Sequence, residues 1–323
     1  MTKIIITAAQ AAPRPGPPLR SAGQSRPRLS ADVIAELAAR ATPRDLWLLR
    51  MLAEHRVLTS FQVAQLAFSS PTTARHRLIQ LWRLRAIDRA QPFTTSGSAP
   101  MHYVLGDAGA AILAARAGTT PRDAGYRRER ALAVFASAGL SHAVGTNGVM
   151  AALAATARTR PDSTLVTWWP EHRCAQQWGT MARPDAYGRW REDNHPDADF
   201  FLEYDKATEP DERVAGKLAG YAALSAATGI ITPVLFWFPS VGREAAVRPH
   251  LSSQRVPVAT ASAATSASPA DTVWLPAGKV GPRLRLAALA IPAPGAGTSP
   301  APAVLPPAGP SLAGGPVPPM PPR

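Results

Sequence analysis

The chain of 323 residues has a single cysteine, Cys174, which excludes an internal disulfide and most multi-cysteine zinc sites. That poverty fits a reducing compartment, and the expected location is the cytoplasm. Apolar runs are short. None reaches the ~18 residues of a membrane-spanning helix, so no membrane partner is expected. The opening Met1–Ala9 stretch has too short an apolar core for a secretion signal, and Pro13 and Arg14 follow at once. Lysine is scarce too, with Lys3, Lys206, Lys217 and Lys279 among 35 basic residues. A glycine-rich phosphate loop with its lysine is missing, which argues against an ATPase. No His-apolar-His pair occurs, which argues against the usual DNA-nicking relaxases. His172 and Cys174 have no second half for a zinc site.

What is present is positive charge, unevenly placed. The net charge is +13. Residues 1–130 carry 19 Lys and Arg against 8 Asp and Glu, residues 131–250 carry 11 against 13, and residues 251–323 carry 5 against 1. A basic first part joined to a near-neutral middle points to an anionic polymer as partner. Three stretches are expected to stay unpacked: residues 11–29, rich in Pro and Arg; 257–270, simple in Ala, Ser and Thr; and 292–323, with 12 prolines.

Within the basic part, Pro43 opens a helix in which Leu46, Leu49, Leu52 and Ala53 recur at helical spacing up to His55. Thr59 caps a second helix from Phe61 to Phe68. A third runs from about Thr72 to Arg85, with Ala74, Leu78, Leu81 and Trp82 on one face and Thr72, His76, Gln80 and Arg83 opposite. Arg75 and Arg77 flank that polar face, and Arg89 lies in the basic stretch behind it. Ile87–Phe93 and Met101–Leu105 then read as two short strands around a loop. Three helices followed by two strands is the order of a winged helix-turn-helix domain, expected over residues 41–118, with residues 1–40 a mostly disordered basic segment. The DNA-binding set is Thr72, Arg75, His76, Arg77, Gln80, Arg83 and Arg89. Arg and Gln pair with base edges, and the flanking residues reach phosphates.

The middle, residues 119–250, reads as α-β-β-β-α-β. Ser141 caps a helix from His142 to Arg158; strands follow at 164–169, from 184 to a turn near Gly188, and at 199–205. A helix from Pro210 to Thr228 leads to a strand at 233–238. Trp168, Trp169, Phe200 and Phe201 read as core, and Asn147 as a buried, satisfied polar group. The overall expectation is an α+β chain with two domains and a low-complexity, Pro-rich tail from residue 251.

The strings Arg183-Pro184-Asp185 and Phe201–Pro210, followed by a helix with Lys217 and Tyr221, resemble the replication-relaxation family of actinobacterial plasmids. The likeness covers roughly residues 40–250, including Arg77, Leu78 and Leu81. It implies a DNA-binding role in plasmid replication, relaxation or maintenance, with double-stranded DNA and other plasmid replication or transfer proteins as partners. The element order is also similar to the core of PD-(D/E)xK nucleases. That similarity implies Asp185 and Glu203 as Mg²⁺ ligands. Asp205 stands where the nuclease pattern wants lysine and, by alternation, shares the face of Glu203; Lys206 comes one place later. The implied metal set is Asp185, Glu203 and Asp205, and the implied catalytic set is Asp185, Glu203 and Lys206. Whether a bond is cut stays open at this point. The other reading is a winged-helix transcriptional regulator whose second domain dimerises or senses a ligand.

Overall fold

The computed structural model describes residues 26–93, 97–179, 181–229, 231–251, 256–263, 267–291, 312 and 317–322, with the backbone of Leu19–Arg20. The short strand β1 (Leu19–Arg20) precedes α1 (Ala31–Arg40), α2 (Pro43–His55), β2 (Leu58–Thr59), α3 (Ser60–Ala67) and α4 (Pro71–Arg83). Strands β3 (Ile87–Pro92) and β4 (His102–Leu105) and helix α5 (Asp107–Arg116) complete the first half. Each early helix starts where a side chain can satisfy its free N–H groups. Ser30 caps α1, and Ser70 caps α4. Thr42 with Asp45, and Thr59 with Gln62, form reciprocal capping boxes on α2 and α3. The strands pair in the order β1-β3-β4-β2, all antiparallel.

The second half contains α6 (Arg128–Ala133), α7 (Leu140–Thr159), β5 (Ser163–Pro170), α8 (Glu171–Trp178), β6 (Ala186–Glu192) and β7 (Ala198–Tyr204). After these come α9 (Asp211–Gly216), α10 (Leu218–Thr228), β8 (Val234–Phe238), α11 (Val241–Val247), β9 (Val258–Ser262) and β10 (Leu275–Pro276). The six strands order as β10-β9-β8-β7-β6-β5. β5, β6 and β7 form an antiparallel meander, whereas β7, β8 and β9 run parallel. Helices α9 and α10 make the first parallel crossover and α11 the second, as parallel pairing requires.

Alternation along the strands sends side chains to two cores. Trp168, Trp190, Phe200, Leu202 and Leu235 join α7 on one face. Trp169, Tyr187, Phe201, Phe236 and Phe238 join α8 and α10 on the other. The first core continues without a break into Leu37, Leu49, Leu66 and Leu78 of the N-terminal helices. Polar ties cross the same junction. Gln62 donates to the Val144 carbonyl at 2.7 Å, Asn147 to the Val57 carbonyl at 2.8 Å, and Arg173 pairs with Glu54, both buried. Asn147 is thus the satisfied buried amide expected of it.

Several expectations need correction. The mostly disordered segment does not extend to residue 40, because Val33 and Leu37 of α1 are buried in the core. The stretch 257–270 is not unpacked over Val258–Ser262: β9 lies between β8 and β10 with all five residues buried. Small Ala and Ser side chains suit a strand covered on both faces. In the proline tail, Val317 is buried and the Trp47 indole donates to the Pro318 carbonyl at 2.8 Å. Most other residues of the 11–29 and 292–323 segments lie outside the described residues. Helix α7 begins at Leu140 without a side-chain cap from Ser141. Strand β6 runs straight through Gly188, where a Cβ would stand 2.2 Å from the Phe200 ring. The helix expected from Pro210 to Thr228 is two, α9 and α10, which meet at Lys217 with its backbone still helical. Among the described residues no helix is long and apolar enough to cross a membrane.

Candidate functional site

Two groups of side chains stand out, one on the large sheet and one on α4. On the sheet, Asp185 precedes β6 and Glu203 sits in β7, 3% exposed. One Asp185 oxygen lies 2.9 Å from His142 Nε2, and the other accepts the Tyr204 N–H at 2.7 Å. Glu203 accepts from Lys217 Nζ at 2.6 Å and from the Tyr221 hydroxyl. Burial and the nearby charge of Asp185 push the Glu203 carboxyl up to about 7, although Lys217 and Tyr221 pull it down. The hydrogen bond to Asp185 raises His142 against the burial that would lower it. Burial works against the Lys217 ammonium, but Glu203 and Asp185 outweigh it and the net shift is upward.

Asp185 and Glu203 therefore lie close enough for their charges to interact, the pairing that the nuclease resemblance implied. Asp205 and Lys206 do not join them. The β7 ladder carries on to Asp205, whose N–H donates to the Trp237 carbonyl at 3.0 Å, so Asp205 keeps the face of Glu203; the chain turns away only at Ala207, with its left-handed φ of 58°. Asp205 instead takes Arg243 Nε at 2.5 Å and its own loop's Ala207 N–H at 2.8 Å. Lys206 Nζ lies 3.4 Å from Ser141 Oγ. The cation at Glu203 comes from Lys217, four residues before Tyr221, so one turn of helix delivers both donors. His142, at the start of α7, had no sequence signal beyond its place in a helix.

The carboxylates do not fit a divalent cation as they are arranged. All four oxygens of Asp185 and Glu203 already accept from protein donors. Among the described residues no group of three or more His, Cys, Asp or Glu is placed to hold a metal. Cys174 is buried, and burial pushes its thiol well up, away from ligand chemistry.

On α4, Thr72, Arg75, His76, Gln80 and Arg83 are exposed on the side away from buried Ala74, Leu78 and Leu81. Among the described residues neither Arg75 nor Arg83 has a carboxylate partner. Arg89 on β3 stacks over the Trp82 ring, its guanidinium carbon 4.0 Å from the centroid. Arg77 departs from the expected set. It lies about 140° round the helix from Thr72 and pairs through Nε (3.0 Å) and Nη2 with Asp45, while Nη2 also donates to the Arg40 carbonyl at 2.9 Å. Asp45 is held low by Arg77 and Thr42 in spite of burial, which alone would raise it. Arg77 is a structural clamp between α4 and α2.

Comparison with known proteins adds one match. A family model described as replication-relaxation covers residues 49–241, more than half of the chain and both groups of side chains. No curated protein and no solved structure matches. The chain belongs to the replication-relaxation family.

Proposed function

We propose that the chain is a DNA-binding protein of plasmid replication or relaxation, in which α4 and the β3–β4 hairpin grip duplex DNA as a winged helix-turn-helix. The observation that carries the reading is the arginine pairing. Asp45, Asp88 and Asp107 are taken up by Arg77, Arg26 and Arg85, yet Arg75 and Arg83 stand exposed on one helix face with no carboxylate partner among the described residues. Guanidinium groups left free in this way and flanked by Thr, His and Gln suit phosphates and base edges. The order α2-β2-α3-α4-β3-β4, with β4 between β2 and β3, supports the winged-helix reading.

The second half is read as a nuclease-like core that has lost its chemistry, its carboxylates serving as an internal clamp rather than as a metal centre. Glu203 ties β7 to α10 through Lys217 and Tyr221, and Asp185 ties β6 to α7 through His142. This unit positions the DNA-binding half through the shared core and is not itself a cutting machine.

The test is a salt titration of duplex binding by the full chain and by the Arg75→Ala, Arg83→Ala double variant. The variant should bind more weakly, and its slope of log affinity against log salt should fall by about one for each phosphate that is no longer neutralised. Equal binding by parent and variant would sink the reading. Supercoiled plasmid incubated with Mg²⁺ or Mn²⁺ should stay uncut, and cleavage that disappears in Glu203→Gln would restore the nuclease assignment.

A further inference from the structure

The α4 face is not flat. A pocket of about 410 Å³ opens between the start of α3, α4 and the β3–β4 hairpin, lined among others by Phe61, Arg75, Ile79, Arg83, Arg89 and Met101. That volume falls at the lower end of the ~300–1,000 Å³ typical of small-ligand sites. Phe61 stands at its rim, 63% exposed, an aromatic ring left in water beside three arginines. None of the three arginines has a carboxylate partner among the described residues. Arg89 is fixed by its stack on Trp82, and its Nε is buried with no acceptor among the described residues. Burial raises the Tyr103 phenol in the pocket wall, and the charges of Arg89 and Arg75 beside it work the other way.

A duplex backbone needs only a basic surface. It has no use for a recess with an exposed aromatic rim and an apolar wall of Ile79 and Met101, because its base faces are stacked on one another. A nucleotide out of the stack offers both a π-face and a phosphate, which is what this pocket complements. We propose that the pocket receives one unpaired DNA nucleotide, its base against Phe61 and its phosphate among Arg75, Arg83 and Arg89. The proposal rests on the DNA-binding reading and adds to it a preference for DNA with a locally opened or bulged base, the kind of structure that replication and relaxation produce.

The experiment measures binding of the full chain to three labelled duplexes: fully paired, with one bulged nucleotide, and with an abasic residue at the bulge. The bulged duplex should bind more tightly than the paired one by roughly 5- to 150-fold, the equivalent of one stacked base. The abasic bulge should lose most of that gain. Phe61→Ala should abolish the preference and leave affinity for the paired duplex unchanged, while Phe61→Trp keeps the preference. Because Phe61 is mostly exposed, its truncation opens no core cavity. Equal affinity for paired and bulged DNA, or a preference that survives Phe61→Ala, overturns the pocket assignment alone. Failure to bind any of the three overturns the DNA-binding reading with it.

Discussion

Arg77 and Arg83 lie six residues apart on one helix, and their surroundings give them opposite roles. Arg77 is bound on both sides to Asp45, which is buried, so Arg77→Ala leaves a buried carboxylate with no cation and only Thr42 as its donor. Because Arg77 is itself partly exposed, the expected loss is about 1–3 kcal/mol rather than the full effect of breaking a buried pair. Arg83→Ala should change stability by less than about 0.5 kcal/mol. Denaturant melts of the two variants decide this, and equal losses would refute it. Glu203 makes a second residue-scale prediction. Its carboxyl titrates near 7 when folded, above the ordinary carboxylate range, so the folded chain keeps a proton that the unfolded chain has lost. Its contribution is full below the unfolded pKa of about 4.5 and is lost as pH rises through about 7. His142, also raised, loses its contribution in the same direction, as pH rises through its own folded pKa. The parent should therefore be less stable near pH 8 than near pH 5 by up to a few kcal/mol from this cluster. Glu203→Gln should flatten that slope, and thermal melts across the range test it. The pairing of Asp185 with Glu203 came from the resemblance to the nuclease pattern, and the two carboxyls lie close enough for the charge of Asp185 to raise Glu203. Alternation also put Asp205 on the face of Glu203, but no local spacing could show that Arg243, 38 positions on, takes up that carboxylate.

At the scale of elements, the first helices were legible from Pro43, from the Thr59 cap and from the spacing of their apolar residues, and the structure adds Thr42 and Ser70 as the caps of α2 and α4. Helix α1 was missed because its Ala-rich run adjoins the Pro and Arg segment. Strand β9 was missed because Ala, Thr and Ser lack the bulk that marks a strand, although its strand neighbours and α11 cover it. The seat of α7 on β7 depends on another small residue. A Cβ at Gly145 would fall 2.2 Å from the Tyr204 ring, so α7 can lie this close only without a side chain there. Gly145→Ala should push α7 outward at a cost of about 1–3 kcal/mol. It should also draw His142 away from Asp185. The measurable sign is a His142 pKa that falls back toward 6.5 in an NMR titration. A raised pKa retained in a destabilised variant would mean that His142 follows the sheet and not the helix.

Across the whole molecule, the split between a basic first part and a near-neutral middle was visible in the charge counts, and it separates the α4 face from the carboxylate clamp. The continuity of the core across that split was not visible. Pairs such as Gln62 with Val144 or Arg173 with Glu54 join residues 82 and 119 positions apart, and no local periodicity records them. The C-terminal prolines show the same limit. Their composition signals an inability to form a core of their own, yet it says nothing about docking onto a core made elsewhere. Leu312 and Val317 are buried, Met320 packs against the N-terminal core, and Trp47 donates its indole N–H to the Pro318 carbonyl. A chain ending at residue 291 should therefore fold but melt lower. Removing these few apolar side chains and one hydrogen bond costs about 2–3 kcal/mol, or roughly 4–12 °C for a chain of this size. The α4 face is formed by other elements, so affinity for paired duplex should stay within about twofold of the parent at equal salt. An unchanged melt on truncation would show that the terminal segment adds nothing to the fold. Loss of duplex binding would show that the tail, and not α4 alone, holds the DNA.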